Sequence, residues 1–323
     1  MLYQDWVSGV DACSAQRVHW KRYEVISQGG VVDLFDSRFL QKLEYLSLVS
    51  RRAFRGQLLA HRRTKQLGSG IEFADHRDYV AGDDYRYLDW NVFARHGQLL
   101  LKRFQEEADL HVYLLLDCSR SMGFGTPLKF DYARQITAAL AYIALADLDR
   151  VSVTAFAHEP LATFPLTRGK QRIVSLLRFL DELHPVGHDT DLRRVSDALV
   201  HRAVRTGLTI VISDFFDPRG FQDGMDRLRY HRHEPQLIQL YDETEANPPL
   251  RGELELMDVE SETCRAVTVT ERTLRQYRRL FADFVESVRG YARRHGLACV
   301  QTPTNVPFDE LILQMMRISG NVA

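Results

Sequence analysis

The sequence predicts an α/β fold with a mostly parallel, doubly wound sheet, preceded by an N-terminal helix plus short-strand segment. After about residue 110, apolar runs of strand length alternate with longer runs of helical period. This alternation is typical of right-handed crossover units in a parallel sheet. The composition, 45% apolar and 26% charged over 323 residues, is that of a globular protein that can bury one large core and an appendage.

Three regions of the chain differ in pattern. Residues 1–35 show no period and are left as an unassigned N-terminal extension. Within 36–108, apolar residues recur at helical spacing from Asp36 to about Arg63, behind a cap at Asp36 or Ser37. From Gly68 to Phe104, glycines separate short apolar segments, which favours short strands and tight turns. Residues 109–320 form the predicted α/β domain.

The predicted elements of this domain follow one another along the chain. Parallel strands are expected at 112–116, 151–156, 208–212, 236–241 and 298–301, and 161–164 is expected to pair antiparallel with 151–156. Helices are expected after Thr126-Pro127, over 173–183, over 192–203, after Asp217-Pro218, over 271–295 and over 308–318. Residues 253–270 alternate as in a hairpin, which predicts an insertion into the α/β pattern.

Charge and hydropathy exclude several classes of protein. The 42 basic and 43 acidic residues nearly cancel, so bulk electrostatics gives no case for nucleic acid. The longest apolar stretch, 136–146, is about half of the ~20 residues that a transmembrane helix needs. We expect a cytoplasmic protein, since no secretory signal pattern opens the chain. The four cysteines lie far apart in sequence and are expected to be reduced thiols.

Polar side chains follow two of the predicted strands where each strand ends. The run 112–116 leads directly into Asp117, and 208–212 leads through Ser213 into Asp214. Ser119 and Ser121 come just after the first strand, and Thr190 lies in the loop before the helix 192–203. In open parallel sheets, ligands bind outside the carboxyl ends of the strands where the strand order reverses. Such oxygen donors are those that Mg²⁺ prefers.

Each of these features also has a structural interpretation. Thr190 is an ordinary helix N-cap candidate, together with Asp189 or Asp191. Ser119 and Ser121 are also common turn residues.

Other polar residues are interpreted as structural. Asp83 and Asp84 most resemble turn residues, which we expect to hold the upstream segment against the α/β domain through Arg77 or Arg86. His184 and His188 are expected to be loop residues, because Pro185 and Gly187 interrupt any helix between them. The basic run 51–65 favours a solvated face over a membrane or nucleic-acid surface.

The order Asp117-Cys118-Ser119-Arg120-Ser121, then Thr190, then Asp214 resembles the von Willebrand factor A domain with its metal-ion-dependent adhesion site. The resemblance implies that Asp117, Ser119, Ser121, Thr190 and Asp214 hold Mg²⁺, with Mn²⁺ as a substitute, and that an acidic side chain of a partner completes the shell. Cys118 occupies the family's variable position, and its side chain should point away from the metal.

An upstream motif resembles a bacterial family known as domain of unknown function 58. Its parts are Gly68-Ser69-Gly70-Ile71-Glu72-Phe73, Arg77-Asp78-Tyr79, Gly82-Asp83-Asp84, Asp89-Trp90 and Lys102-Arg103-Phe104. The resemblance covers roughly residues 36–320. Members of that family are commonly associated with MoxR-type AAA+ ATPases, so it implies such an ATPase as a partner.

The leading hypothesis is a metal-dependent protein-binding module or adaptor that presents Mg²⁺ to an acidic residue of a partner or client protein, without turnover. The alternative is a Mg²⁺-dependent phosphoester hydrolase, because Mg²⁺ beside a carboxylate can polarise a phosphoryl oxygen. Apart from Arg120 and His188, the site loops offer few groups for acid–base work or phosphate binding. The sequence also lacks a phosphate-binding loop and a nucleophile elbow.

Overall fold

The computed structural model describes residues 34–54, 67–105, 110–186, 190–257 and 264–320. The α-helices in these ranges are α1 Ser37–Phe54, α2 Trp90–His96, α3 Lys129–Ala146, α4 Ile173–Asp181, α5 Leu192–Arg202, α6 Gln222–Tyr230, α7 Glu243–Ala246, α8 Glu271–His295 and α9 Phe308–Gly320. The strands are β1 Leu67–Asp78, β2 Leu100–Gln105, β3 His111–Asp117, β4 Arg150–Phe156, β5 Pro160–Arg168, β6 Leu208–Ser213, β7 Glu234–Tyr241, β8 Gly252–Met257, β9 Cys264–Val269 and β10 Cys299–Pro303.

Six strands form the central sheet, in the order β10-β7-β6-β3-β4-β5. All neighbours are parallel except β5, which runs antiparallel to β4. The chain builds outward from β3, first to β4 and β5 on one side and then to β6, β7 and β10 on the other. The strand order therefore reverses between β3 and β6, which confirms the predicted doubly wound fold and marks its switch point.

Helices cover both faces of this sheet. Strand β3 is buried along its whole length and alternates Val112, Leu114 and Leu116 on one face with Tyr113 and Leu115 on the other. Helices α1, α3, α4 and α9 pack on the first face, and α5, α6 and α8 pack on the second. A strand buried on both faces explains why 112–116 reads as a continuous apolar run.

Helix α1 belongs to the first of these layers. Leu43 and Leu46 are fully buried in its core, and the ring of Phe39 lies 4.9 Å from that of Phe308 on α9. The described part of the helix runs to Phe54, and the rest of the predicted helical region, up to about Arg63, lies outside the described residues. Residues 55–66, which hold most of the basic run, lie outside the described residues.

Strands β1 and β2 pair antiparallel and form a separate two-stranded sheet. The prediction of several short strands is wrong for 67–78, because β1 is one strand of 12 residues with two irregularities of register. Arg77 pairs with Asp83 at 2.6 Å, and Arg86 pairs with Asp84 at 2.6 Å. The partners are those predicted, but both pairs lie within this segment and do not link it to the central sheet.

Two predicted helix starts are wrong. Helix α3 begins at Lys129, after Thr126-Pro127, and the Thr126 N–H donates to Asp242 Oδ2 at 3.2 Å. Helix α6 begins at Gln222, and Asp217 instead accepts a hydrogen bond from the Leu192 N–H, at 2.9 Å, at the start of α5. The Thr126 backbone N–H and the Asp217 carboxylate therefore each bond to an element other than the helix that they were predicted to begin.

The hairpin insertion and the long C-terminal helix are confirmed. Strands β8 and β9 pair antiparallel, and residues 258–263 between them lie outside the described part. Helix α8 spans the predicted 271–295, capped by the Thr270 side chain and ended by Gly296 with φ +65°. No helix in the described ranges combines the length and the apolar character needed to cross a bilayer.

Strand β5 forms one edge of the central sheet and contains two prolines, Pro160 and Pro165. Because proline has no backbone N–H, it is confined to edge strands and irregularities of a sheet. The register between β4 and β5 shifts at two places.

Candidate functional site

The carboxyl ends of β3 and β6 are tied together by one buried carboxylate. Asp117 Oδ2 accepts a hydrogen bond from the Ser213 hydroxyl at 2.5 Å, and Oδ1 accepts one from the Ser119 backbone N–H at 2.8 Å. Asp117 and Asp214 are both buried. The two predicted aspartates therefore lie at the switch point of the sheet.

The loop before α5 reaches the same edge of the sheet. The Val186 N–H donates to the Cys118 carbonyl at 2.7 Å, and the Asp191 N–H donates to the Ala157 carbonyl at 3.3 Å. The second contact places Thr190, the residue before Asp191, next to the end of β4. Residues 187–189, with the predicted loop residue His188, lie outside the described residues, and His184 is exposed.

The structure assigns the N-cap of α5 to Asp191 and not to Thr190. Asp191 caps α5, since its side chain accepts from the Arg194 N–H at 2.9 Å. The Thr190 side chain is buried, and its hydroxyl has no hydrogen-bond partner among the described residues. A buried hydroxyl without a partner costs free energy, and the Thr190 hydroxyl could recover it by contact with a ligand.

Two more hydroxyls lie after β3. The Ser119 and Ser121 Oγ atoms are 3.0 Å apart, and the Ser119 side chain makes no capping bond to the turn Arg120–Gly123 that follows it. Cys118 is buried in the first core layer, and its thiol lies 3.6 Å from the Leu116 carbonyl. The cysteine side chain therefore packs into the core and leaves the two serines at the site.

Sequence reasoning missed an ion pair beneath the site. Lys129 Nζ lies 2.8 Å from Asp214 Oδ2 and 2.6 Å from Glu245 Oε1, and its side chain has no exposed surface. Lys129 is also the first residue of α3, where a positive charge opposes the helix dipole. That unfavourable placement is a signal in the sequence that could have indicated a specific acidic partner.

Burial and neighbouring charges set the protonation of these groups. Burial raises the pKa of Asp117, and the charge of Asp214 raises it further. Burial also raises the pKa of Glu245, against the lowering effect of Lys129. For Lys129, burial favours a lower pKa, but Asp214 and Glu245 outweigh it and raise the pKa to about 12.

Asp214 and Glu245 contact the single ammonium of Lys129, which leaves one negative charge uncompensated, and Asp117 beside Asp214 adds a second when it is ionised. One divalent cation would balance this excess.

The donor set fits a hard divalent cation. Ser119, Ser121 and Thr190 offer hydroxyls, and Asp117 and Asp214 offer carboxylates, so all five predicted residues are oxygen donors. In the described ranges, no three His, Cys, Asp or Glu side chains cluster as a metal site. A cation at the switch point would therefore depend on the hydroxyls, of which that of Thr190 has no hydrogen-bond partner among the described residues.

A family profile described as "Protein of unknown function DUF58" matches residues 75–287, about two thirds of the chain. The chain belongs to the DUF58 family. The family predicted from the sequence is thus confirmed, and the sheet has the doubly wound order which that prediction implied. The matched range includes all five predicted metal ligands.

Two relatives of this DUF58 protein are themselves described as uncharacterised. An uncharacterised protein of Mycobacterium tuberculosis is 27% identical over 266 residues, which are 80% of this chain and 84% of the relative. The uncharacterised protein YeaD of Bacillus subtilis is 26% identical over 137 residues, covering 42% of this chain and 33% of the relative.

Several solved structures are similar to part of the chain. A BatB protein from Bacteroides thetaiotaomicron shares 16% identity, covers 65% of this chain and 98% of its own, and has a TM-score of 0.44. The von Willebrand factor A domain of an Rpn10 protein shares 12% identity, covers 67% and 100%, and has a TM-score of 0.37. A mussel byssus matrix protein, described with a zinc-occupied adhesion site, shares 11%, covers 66% and 48%, and has a TM-score of 0.41. The fold of this DUF58 protein rests on its own strand order.

Proposed function

We propose that this DUF58 protein is a cytoplasmic protein-binding module that holds Mg²⁺, or Mn²⁺ in its place, at the switch point of the sheet. The ion would be presented to an acidic side chain of a partner or client protein, and no turnover is expected. The observation that supports this proposal best is the buried hydroxyl of Thr190, which no described residue hydrogen-bonds. It lies at the sheet edge where Asp117 and Asp214 leave uncompensated negative charge.

The chain's own residues divide the work at this site. The hydroxyls of Ser119, Ser121 and Thr190 would contact the ion directly. Asp117 already accepts two hydrogen bonds, and Asp214 accepts one from Lys129 and one from the Phe216 N–H, so both suit contact through water. When bound, the ion supplies an electrophile that binds a hard anionic oxygen. Because the hydroxyls that would contact the ion are neutral, the ion would keep most of its positive charge and would attract a partner's carboxylate.

The proposed ATPase partner rests on the family resemblance. A MoxR-type AAA+ ATPase is the first candidate to test, and a client that bears an exposed Asp or Glu is the second. Either would provide the carboxylate that completes the coordination.

Calorimetric titration with Mg²⁺ and Mn²⁺ tests the site directly. Ser119→Ala, Thr190→Val and Asp214→Asn should each lower metal affinity at least tenfold, which is about 1.4 kcal/mol or more. Thr190→Val should leave the metal-free protein as stable as wild type or more stable, because it removes a buried hydroxyl without a partner. Thr209→Val is the matched control, since Thr209 is buried near the opposite end of β6 and bonds His233. That control should bind metal as wild type does.

Binding to the candidate ATPase should require Mg²⁺ or Mn²⁺ and be abolished by EDTA. Partner binding that persists in EDTA and is unchanged in all three site variants would overturn the proposal. Phosphoester hydrolysis that depends on metal and disappears in Asp117→Ala would favour the hydrolase instead.

A further inference from the structure

The buried lysine beneath the site is fixed in place by three neighbours. Lys129 Nζ contacts Asp214 and Glu245 and lies 5.5 Å from the centre of the Phe216 ring. Its side chain is completely buried. A buried ammonium is tolerated only when it is paired and hydrogen-bonded, and here both conditions are met.

Glu245 is held as firmly as the lysine. Its Oε2 atom accepts a hydrogen bond from the Asp242 N–H at 2.8 Å, as part of the capping box of α7. The Tyr277 hydroxyl on α8 donates to the Glu245 backbone carbonyl at 2.9 Å. Glu245 can therefore not move without disturbing α7 and α8, which lie outside the metal site.

Both carboxylate oxygens of Asp214 already accept a hydrogen bond. Asp214 Oδ2 accepts from Lys129 at 2.8 Å, and Oδ1 accepts from the Phe216 N–H at 3.1 Å. For direct coordination, Asp214 would have to give up or share one of these bonds. In addition, the fixed ammonium repels any cation that enters the site, and this repulsion is strong in a buried environment.

We propose that Lys129 is a positioning residue that holds Asp214 out of direct metal coordination and limits the affinity of the site for a divalent cation. This inference rests on the proposed function, because it takes the switch point to be a metal site. Glu245 has the opposite effect, since its carboxylate offsets the ammonium that faces the site. Weak binding of the metal alone leaves room for a partner's carboxylate to strengthen it.

Two single substitutions should change metal affinity in opposite directions. Lys129→Met removes the ammonium and frees Asp214, so the affinity for Mn²⁺ should rise at least tenfold. Glu245→Gln keeps the size of the side chain but removes its charge, so the affinity for Mn²⁺ should fall by about threefold or more. Lys170→Met is the matched control, because it removes an exposed lysine, half of whose side chain is accessible, and should change nothing.

The measurement is a titration of the full chain with Mn²⁺ alone, followed by calorimetry and by the shift in thermal midpoint. A merely structural role for the ion pair would weaken binding in both variants, because both disturb the same buried cluster. If Lys129→Met folds poorly, Lys129→Gln takes its place, because it removes the charge and keeps a hydrogen-bond donor beside Asp214 and Glu245. Its affinity for Mn²⁺ should also rise, whereas a merely structural role predicts a fall.

If wild type binds Mn²⁺ and the two substitutions change its affinity equally or not at all, the role of Lys129 is overturned. The proposed function then still stands. Absence of Mn²⁺ binding in wild type and in both variants would overturn the metal site, and the role of Lys129 with it. Binding in Lys129→Met alone would support the lysine's role and overturn the proposed function of the native chain.

Discussion

Ser213 is the residue that connects the two strand ends of the site. Its hydroxyl donates to Asp117 and accepts a hydrogen bond from the Phe215 N–H at 2.8 Å. Phe215 has a positive φ of 62°, a conformation that residues with a side chain seldom adopt. The serine thus supports both the carboxylate and the unusual backbone that follows Asp214.

We expect Ser213→Ala to lower the free energy of unfolding by about 1–3 kcal/mol, because two buried polar groups lose their partner. Denaturant unfolding in metal-free buffer measures the change.

Ser196→Ala is the control, since the Ser196 hydroxyl is buried without a hydrogen-bond partner in the described structure. That substitution should be neutral or slightly stabilising. An equal loss in the two variants would show that the Ser213 hydrogen bonds contribute nothing particular.

Residues of the site differ in how far the sequence predicts them. Asp117, Ser119 and Ser121 follow a strand directly, so their place at the sheet edge comes from local pattern. The role of Lys129 cannot be predicted from local pattern, because its partners Asp214 and Glu245 lie 85 and 116 positions away in sequence. A buried charge at the start of a helix is explained only when the fold brings those acids to it.

At the scale of elements, helix boundaries are likewise predictable only where the contacts that set them are local in sequence. Helix α8 is predicted at both ends, because Thr270 and Gly296 act within one turn of the helix they limit. The starts of α3 and α6 are predicted wrongly, because Thr126 and Asp217 bond to elements remote in sequence. Capping signals are reliable only where no distant group holds the backbone or the side chain of the predicted cap.

Two glycines of α8 should respond oppositely to the same substitution. Gly290 lies inside the helix, and a Cβ there meets nothing within 4 Å, so Gly290→Ala should stabilise the protein by about 0.5–1 kcal/mol. Gly296 ends the helix in the left-handed region, and Gly296→Ala should destabilise it by about 1 kcal/mol although the space is equally open.

Thermal or denaturant unfolding of the two glycine variants gives the comparison. A stabilising Gly296→Ala would contradict the role of the left-handed residue as the helix stop. A destabilising Gly290→Ala would show that this face of α8 is covered in solution.

At the scale of the whole molecule, α1 shares the core of the central sheet. Leu43 on α1 is fully buried, whereas Leu48 on the same helix is 63% exposed. We expect Leu43→Ala to lower the free energy of unfolding by about 2–5 kcal/mol, with one cooperative transition, because it opens a cavity in the first core layer. Leu48→Ala should change stability by less than about 0.5 kcal/mol.

Unfolding followed by both circular dichroism and intrinsic fluorescence tests this cooperativity. An early separate transition in Leu43→Ala would mean that α1 unfolds independently of the sheet. Equal small effects of the two leucine variants would show that α1 contributes little to the core.

The two prolines of β5 have a consequence for how copies of this protein meet. An open sheet ends in unpaired N–H and carbonyl groups, which form a template for growth by strand addition. Pro160 and Pro165 remove two donors from that template, and the register shifts against β4 interrupt it further. A strand of a second chain therefore cannot form a continuous row of backbone hydrogen bonds along β5. This edge of the sheet should not promote edge-to-edge polymerisation.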